Sequence, residues 1–285
     1  MFHIDAKQGK PFTKAIALTF TYLFLVILSF LVLFPFYWML NVSLTTVNGF
    51  ESATPLLFSD NLIDGFSNYY NTFSIFNLGR YFVNTLIFSV ITTLFMVIIT
   101  VLTAFAFARL EFKGKKIVII SFLLLSMVPT EVLVIGNYAS IELFGLTSTF
   151  IGLIVPSIFN VLYVYILYKS FKRTPNQLYY QAKIDGMSDF TILKNVYIPM
   201  HRKTIIAILI LKLLECWNSY VWPSVIADNE DYHTLTTALQ SLRGVNTAPI
   251  IMVIVICITL PAIILFLIFK DKIYSGVKRA VSSEE

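Results

Sequence analysis

Long runs of uncharged, mostly apolar residues dominate this 285-residue chain and limit what it can fold into. Four runs contain no charged residue: Ala15–Leu40, Tyr81–Ala108, Leu143–Tyr168 and Gly244–Phe269. Each exceeds the roughly 20 residues that a helix needs to cross a bilayer, whereas a barrel strand needs only about ten. The chain is 57% hydrophobic and 13% charged, with a mean hydropathy of +0.79. We therefore predict an all-α, polytopic membrane protein.

Two further apolar runs are interrupted by charged residues. Ile117–Ile135 contains Glu131 near one end, and Thr204–Ala227 contains a lysine and a glutamate. With the four uncharged runs they give six predicted transmembrane helices. Glu131 is expected near the outer end of its span, where it either borders a wet gate or caps a helix.

The charged pair in the Thr204–Ala227 run is Lys212 and Glu215. Residues three apart share a face of a helix, so these two can form an ion pair. Charges at membrane depth are costly and usually face a cavity or a partner. Two interpretations stay open: the pair borders a translocation path with Trp217 and Asn218, or it only neutralises itself or contacts a partner subunit.

Lys and Arg residues are distributed unevenly between the connecting segments. Eighteen of the twenty-one lie in the two terminal segments and in two of the connections. The positive-inside rule therefore places these segments and both termini in the cytoplasm. The predicted organisation is a cytoplasmic tail (1–14), a six-helix transmembrane domain (15–270) and a second tail (271–285), with external loops at 41–80, 136–149 and 228–247 and a cytoplasmic segment at 171–203. Because topology explains the basic excess, a nucleic-acid partner is not indicated.

A polar segment, Thr174–Met200, separates two of the apolar runs and is predicted to form two short helices. Residues typical of a helix start, an apolar face and a helix end follow in order: Thr174, Pro175 and Gln177, then Leu178, Ala182 and Ile184, then Gly186. Ser188 is expected to cap the second helix, which should end before Pro199. Such a cytoplasmic helical hairpin is a docking device for another protein.

The same segment resembles the coupling segment of ABC importer permeases, whose pattern is E-A-A, three residues, G, nine residues, I-x-L-P. The matching residues here are Ala182, Asp185, Gly186, Ile198 and Pro199. Tyr180 and Gln181 replace the usual Glu-Ala at the first two positions.

Further motifs of that family occur in the family's order over roughly residues 35 to 280. They include Asn84-Thr85, Ala104 to Leu110 followed by Phe112-Lys113-Gly114, Trp217-Asn218 and Thr234-Leu235-Thr236. The chain resembles maltose/oligosaccharide-type permeases, and specifically the shorter six-span partner of a two-permease pair.

The resemblance implies a subunit of a type I ABC importer in a bacterial cytoplasmic membrane, with an oligosaccharide or a related sugar as the expected substrate. It implies a second permease as heterodimer partner, two ATPase subunits that bind ATP and Mg, and an extracytoplasmic solute-binding protein. The ATPase contacts would come from Tyr180, Gln181, Ala182, Asp185, Gly186, Ile198 and Pro199. The contacts with the binding protein would come from Asp231, Thr234, Leu235 and Thr236.

No catalytic, metal or cofactor site is predicted in this chain, and it is not expected to be an enzyme. His3, His201 and His233 lie in different segments, and no phosphate-binding loop of the Gly-x-x-x-x-Gly-Lys-Ser/Thr kind occurs. The alternatives are a secondary transporter, an integral membrane enzyme, and an ABC permease for a solute other than a sugar. A secondary transporter would show repeated broken helices with ion-binding polar groups at mid-membrane.

Overall fold

The computed structural model describes residues 11–50, 57–241 and 248–281, and within these ranges the chain is helical, without β-strands. The helices are α1 (Pro11–Ser43), α2 (Val47–Phe50), α3 (Leu62–Ile75), α4 (Leu78–Arg109), α5 (Lys115–Leu125), α6 (Val134–Leu143), α7 (Phe150–Ile154), α8 (Val161–Lys172), α9 (Asn176–Ile184), α10 (Asp189–Ile192), α11 (Ile198–Trp217), α12 (Val221–Ile226), α13 (Ala238–Ser241) and α14 (Ala248–Val281). Three predicted parts of the chain lie outside the described ranges: the N-terminal tail up to residue 10, the start of the last span at Gly244, and the final four residues.

Three helical stretches in the described ranges are long and apolar enough to cross a membrane: Leu18–Ser43, Leu78–Arg109 and Ala248–Tyr274. Two bent helix pairs raise the number to five if each pair counts as one span. The predicted span at Thr204–Ala227 is built differently, as α11 followed after a short break by α12. The fold is therefore that of a polytopic helical membrane protein, and the number six stays a prediction.

The predicted span Ile117–Ile135 is not one straight helix. Helix α5 ends at Leu125, and the following 3-10 turn and α6 lie at 95° to it. Pro129 stands at the bend and precedes the 3-10 turn Thr130–Leu133. Proline has no amide proton and disfavours a helical conformation of the residue before it, which explains why the helix stops here.

The predicted span Leu143–Tyr168 is also divided. Gly145, with φ +65°, follows the end of α6, and α7 begins only at Phe150. A 3-10 turn containing Pro156 leads to a 46° bend before α8. Asn160 starts α8, since its side-chain oxygen accepts a hydrogen bond from the amide of Tyr163 at 3.2 Å. Two prolines of the predicted spans, Pro129 and Pro156, lie at the bends, while Pro35 and Pro261 lie inside α1 and α14.

The chain groups into two compact units, one of residues 1–72 with 246–256 and one of residues 73–245 with 257–285. In the first unit the segment after α1 folds back on the end of that helix. Asn68 donates its side-chain amide to the carbonyls of Ser43 and Thr45, at 3.0 and 2.9 Å. Gly65 lies so close to Leu44 that a Cβ there would be 1.9 Å from the Leu44 carbonyl oxygen. The loop predicted at 41–80 therefore contains helix α3.

The second unit is built around α4, which packs against α8 and α11. Its larger apolar cluster combines α4 and α8 with the segment between α9 and α11, and Tyr197, Phe171 and Ile192 are fully buried in it. A second cluster, including Phe88, Leu153 and Ile226, joins α4 to α6, α7, α11 and α12.

One face of α4 is polar although it is buried. Its small polar side chains include Thr85, Ser89, Thr92 and Thr93, all 2% exposed or less. Small residues permit close approach of helices in a membrane, which is consistent with the tight packing of α4 against α8 and α11. The apolar residues of α1, by contrast, are exposed from Leu18 to Leu33.

Candidate functional site

The segment predicted to couple the chain to a partner does form a helical hairpin. Helix α9 ends at Ile184 and Gly186 has φ +78°. The amide of Gly186 donates to the Lys183 carbonyl and the amide of Met187 to the Ala182 carbonyl, both at 3.0 Å. This pair of bonds closes a helix with a left-handed residue, a position that favours glycine.

The start of the hairpin differs from the prediction. Thr174 does not cap α9: the helix begins at Asn176 after Pro175, and no side chain caps it. The Thr174 hydroxyl instead lies 2.8 Å from Nε2 of His201. Because the Thr174 side chain is 4% exposed and used in this contact, it is not available to the amides of α9.

The end of the hairpin also differs. Ser188 caps α10, accepting a hydrogen bond from the Thr191 amide at 3.2 Å, as predicted. However, the helix does not stop before Pro199, because a π-helical stretch, Leu193–Tyr197, leads directly into α11. The Ile198 amide bonds to the Leu193 carbonyl five residues back, so the turn before the proline is wide. Pro199 then falls in the first turn of α11, where its missing amide proton costs little.

An ionic brace holds the two arms of the hairpin together. Asp189 at the start of α10 accepts hydrogen bonds from the Tyr179 hydroxyl and the Lys183 ammonium, each at 2.8 Å. These two donors hold the pKa of the Asp189 carboxyl below its usual value, with Lys183 as the largest cause. Burial, followed by the bond to Asp189, raises the pKa of Tyr179 to about 12.

The hairpin exposes apolar residues at its tip. Ile184, Phe190 and Tyr180 are 85%, 68% and 61% exposed. The predicted apolar face of α9 is therefore wrong in two of its three members, since Leu178 and Ile184 face outward and only Ala182 is buried. The inward contacts of α9 come from Ala182 together with the partly buried Tyr179.

The residues of the coupling motif are thus divided by burial. Tyr180, Gln181, Asp185 and Gly186 are exposed around the tip of the hairpin. Ile198 and Pro199 are exposed at the start of α11, and Ala182 packs inside.

The base of the hairpin is attached to α4 by a residue that was not predicted as functional, Arg109. Its guanidinium donates to the side-chain oxygen of Asn176 and to the carbonyls of Phe171, at 3.1 Å, and Thr174. It also lies over the ring of Tyr197, 5.3 Å from the centroid. The side chain is 9% exposed although it is charged. Its place in the Ala104–Leu110 motif was the signal that sequence reasoning left unused.

Arg109 lies where the carboxyl end of a helix concentrates carbonyl oxygens. Phe171 belongs to the last turn of α8, and its carbonyl also accepts a hydrogen bond from the Thr174 amide at 3.2 Å. A cation at this position is stabilised by the negative end of the helix dipole. Arg109 therefore joins α4, α8 and the hairpin through neutral oxygens.

His201, in the first turns of α11, connects that helix to the end of α8. Nδ1 lies 2.8 Å from the Ser170 hydroxyl and Nε2 the same distance from the Thr174 hydroxyl. Burial, with the nearby charges of Arg109 and Arg173, lowers the pKa of His201 to about 4. The imidazole is therefore neutral at physiological pH. No group of three or more potential metal-ligating residues occurs in the described ranges.

The charged pair of α11 forms as the sequence suggested. The Lys212 ammonium lies 2.7 Å from Oε1 of Glu215, and Oε2 accepts a bond from the Tyr163 hydroxyl at 3.2 Å. The Lys212 side chain is 5% exposed and that of Glu215 is 48% exposed. The pair is therefore asymmetric, with a buried cation and a carboxylate at the surface of the chain.

The other predicted path residues occupy different environments. Trp217 is buried and donates its indole N–H to the carbonyl of Ile258 in α14 at 2.9 Å. Asn218 is exposed and caps α11 through a bond to the Leu214 carbonyl at 2.9 Å. Glu131 is exposed in the 3-10 turn after Pro129, and within the described ranges no hydrogen bond or ion pair joins it to Lys212 or Glu215.

The segment predicted to contact a binding protein is mostly used inside the chain. Thr234, Leu235 and Thr236 are 5% exposed or less. The Leu235 amide donates to the Thr85 hydroxyl at 2.9 Å, and the Thr236 hydroxyl to the Ser219 carbonyl at 2.6 Å. Leu235 thus attaches the segment to α4 and Thr236 attaches it to the turn after α11, so in this chain the three side chains make internal contacts rather than a surface. Asp231 is half exposed and forms an ion pair with Arg80 at 2.6 Å.

Comparison with known proteins agrees with this geometry. Residues 96–279 match the family model described as binding-protein-dependent transport system inner membrane component. An arabinooligosaccharides transport system permease of Bacillus subtilis is 30% identical over 269 residues, covering 92% of this chain and 93% of that protein. A trehalose/maltose transport system permease of Thermococcus litoralis is 27% identical over 259 residues, covering 88% and 92%.

A solved structure supports the fold. A chain from the crystal structure of a bacterial ABC transporter involved in the import of the acidic polysaccharide alginate aligns with a TM-score of 0.79 at 18% identity, covering 93% of this chain and 99% of that one. The family model matches more than half of the chain, and the Bacillus relative is similar over nearly its whole length. The chain therefore belongs to the family of inner membrane components of binding-protein-dependent transport systems, and it is a permease subunit of such an importer.

Proposed function

We propose that this permease transmits the movement of partner ATPase subunits to its transmembrane helices through the hairpin formed by α9 and α10. One observation carries the proposal: the hairpin exposes Ile184, Phe190 and Tyr180 at its tip while its base is bonded to α4 by the buried Arg109. Exposed clusters of large apolar residues usually mark a protein interface.

The residues at the tip would make the contacts with the ATPase. Tyr180, Gln181, Asp185 and Gly186 surround the turn. A short hairpin closed by a left-handed glycine and braced by Asp189 has few ways to bend internally. Displacement of the tip would therefore move the base, and with it α11, which continues from the hairpin through the π-helical stretch.

The partners in this proposal are a second permease, two ATPase subunits that bind ATP and Mg, and an extracytoplasmic solute-binding protein. Orientation is part of the proposal: both termini and the hairpin lie in the cytoplasm. On the outer side Asp231 would belong to the contact surface of the binding protein.

For the substrate we propose an oligosaccharide or a related sugar. The support comes from its relatives, which include permeases for arabinooligosaccharides, lactose and trehalose/maltose. Within α11, Glu215 and Asn218 are exposed and would border the path, whereas the buried Lys212 and Trp217 would support it. A permease for a solute other than a sugar remains the alternative, and uptake assays with a panel of saccharides would separate the two.

The hairpin proposal is tested by removing the apolar tip. We expect Ile184→Ser and Phe190→Ser, each made in the subunit co-expressed with its partner proteins, to reduce the ATPase retained in a pull-down by roughly tenfold, which corresponds to about 1.4 kcal/mol. Matched controls come from α3: Ile63 is 83% exposed and Phe66 is 62% exposed. Ile63→Ser and Phe66→Ser should retain the ATPase normally. Equal retention in all four variants would contradict the proposed docking site.

A further inference from the structure

A pocket of about 270 Å³ lies between the end of α8 and the beginning of α11. Arg173 and Lys203 line it together with the hydroxyl-bearing Ser170, Thr174 and Thr204. None of its lining residues is acidic. The pocket therefore combines two cations with several potential hydrogen-bond donors, which is the chemistry that binds phosphate groups.

His201 forms part of the pocket wall, and both of its ring nitrogens contact hydroxyls, Nδ1 that of Ser170 and Nε2 that of Thr174. A neutral imidazole has one N–H and one acceptor nitrogen, so one of these hydroxyls accepts a bond from the ring and keeps its own proton for another acceptor. The charges of Arg109 and Arg173 act on His201 in addition to burial, which is the main cause of its lowered pKa.

The position of the pocket indicates where its ligand comes from. Thr204 is the first residue of a predicted span, and Lys169 and Lys172 are in the last turn of α8. In the predicted topology the pocket therefore lies where a transmembrane region meets the basic cytoplasmic segment, at the depth of lipid headgroups. Basic pockets between membrane helices on the cytoplasmic side are suited to anionic headgroups. Met200 and Pro175 provide apolar walls for the less polar part of a lipid.

We propose that this pocket binds the phosphodiester headgroup of an anionic phospholipid of the inner leaflet. The site is separate from the exposed tip of the hairpin, so the inference goes beyond the proposed function and rests on it only for the cytoplasmic orientation of the hairpin. Free inorganic phosphate shares the same chemistry, and the experiment must distinguish the two sources.

The test uses the purified transporter complex in nanodiscs of phosphatidylcholine alone or mixed with phosphatidylglycerol. Phosphatidylglycerol retained by the complex is measured by native mass spectrometry. We expect Lys203→Gln and Arg173→Gln each to lower the apparent affinity for phosphatidylglycerol about fivefold, the effect of one basic residue near a charged lipid surface. Arg202→Gln is the matched control, because Arg202 is exposed next to Lys203 but does not line the pocket. Its effect should be smaller than twofold.

Folding is monitored through the thermal midpoint of each variant, and the exposed Lys203 can be replaced without disturbing the interior. In a second arm, the complex in detergent is titrated with inorganic phosphate against chloride. Stabilisation by phosphate equal to that by phosphatidylglycerol would assign the pocket to a soluble anion and overturn the lipid assignment. Equal losses for Arg202→Gln and the two pocket variants, or no retained phosphatidylglycerol, would overturn the site.

Discussion

Two residues determine the hairpin in different ways, one through its backbone conformation and the other through its side-chain contacts. Gly186 is required for its backbone, since its φ is +78° and an added Cβ would meet nothing within 4 Å. Arg109 is required for its side chain, which bonds to three oxygens and covers a ring. The first sets the shape of the hairpin and the second fixes its base.

We expect Gly186→Val to destabilise the turn by roughly 1–2 kcal/mol, because a Cβ is disfavoured in the left-handed conformation. The subunit should insert into the membrane but lose ATPase retention or the coupling of hydrolysis to uptake. The matched control is Gly79→Ala near the start of α4, where φ is not positive and an added Cβ also meets nothing within 4 Å. Pull-down, hydrolysis and uptake that all stay normal in Gly186→Val would contradict the role of the turn.

Arg109→Gln should separate hydrolysis from transport. The variant removes the guanidinium from the carbonyls of Phe171 and Thr174, a loss of about 2–3 kcal/mol for charged hydrogen bonds. We expect ATPase retention to stay near normal and uptake per ATP hydrolysed to fall severalfold. Lys113→Gln, an exposed change beyond the same end of α4, serves as the control. Uptake that stays proportional to hydrolysis in Arg109→Gln would show that coupling does not need the contacts of Arg109.

At the scale of helices, the apolar runs predicted where long apolar helices occur but not where those helices bend. The helix at Tyr81–Ala108 was predicted within a few residues of its observed ends, because a long uninterrupted apolar run favours one continuous helix in a bilayer. The 95° bend at Pro129 and the π-helical stretch before Pro199 depend on how backbone hydrogen bonds are redistributed around a proline. The tertiary partner of Thr174, on another helix, competes with its local capping role and could not be inferred from spacing.

The Lys212–Glu215 pair of α11 should respond unequally to single changes. Glu215→Ala leaves a buried ammonium without its carboxylate and removes the acceptor of Tyr163, at a cost of about 3 kcal/mol. Lys212→Ala leaves a carboxylate that is already half exposed and should cost less. We therefore expect the double change to assemble better than Glu215→Ala alone, measured as folded subunit recovered in detergent. A double variant no better than Glu215→Ala would mean that the two are not a compensating pair.

His201, which joins α8 to α11, makes the stability of the folded subunit depend on pH. Its folded pKa of about 4 lies below the unfolded value of 6.5, so its contribution is complete above pH 6.5 and is lost as the pH falls through the folded value. The thermal midpoint of the wild type should fall between about pH 7 and about pH 4.5, and His201→Gln should reduce that fall. Parallel pH profiles for the two proteins would contradict this.

At the scale of the whole molecule, topology is the main prediction still open. Single cysteines at Lys113 and Lys183 should react only from the cytoplasm, and those at Asp64 and Asp231 only from outside, in a background where Cys216 and Cys257 are replaced. Lys113 is preferred to Lys115, because the Lys115 ammonium is bonded to the Leu110 carbonyl. Labelling at Asp231 from the cytoplasmic face alone would overturn the six-span arrangement.

The hydrogen bonds of Arg109 have a consequence for the conditions in which the transporter can work. Carbonyl and amide oxygens do not titrate, and a guanidinium stays charged throughout the physiological range. A buried contact of this kind is also weakly screened, whereas the half-exposed Lys183–Asp189 brace weakens as salt increases. The attachment of the hairpin to α4 should therefore be nearly independent of ionic strength, so osmotic changes in the cytoplasm would leave this connection intact.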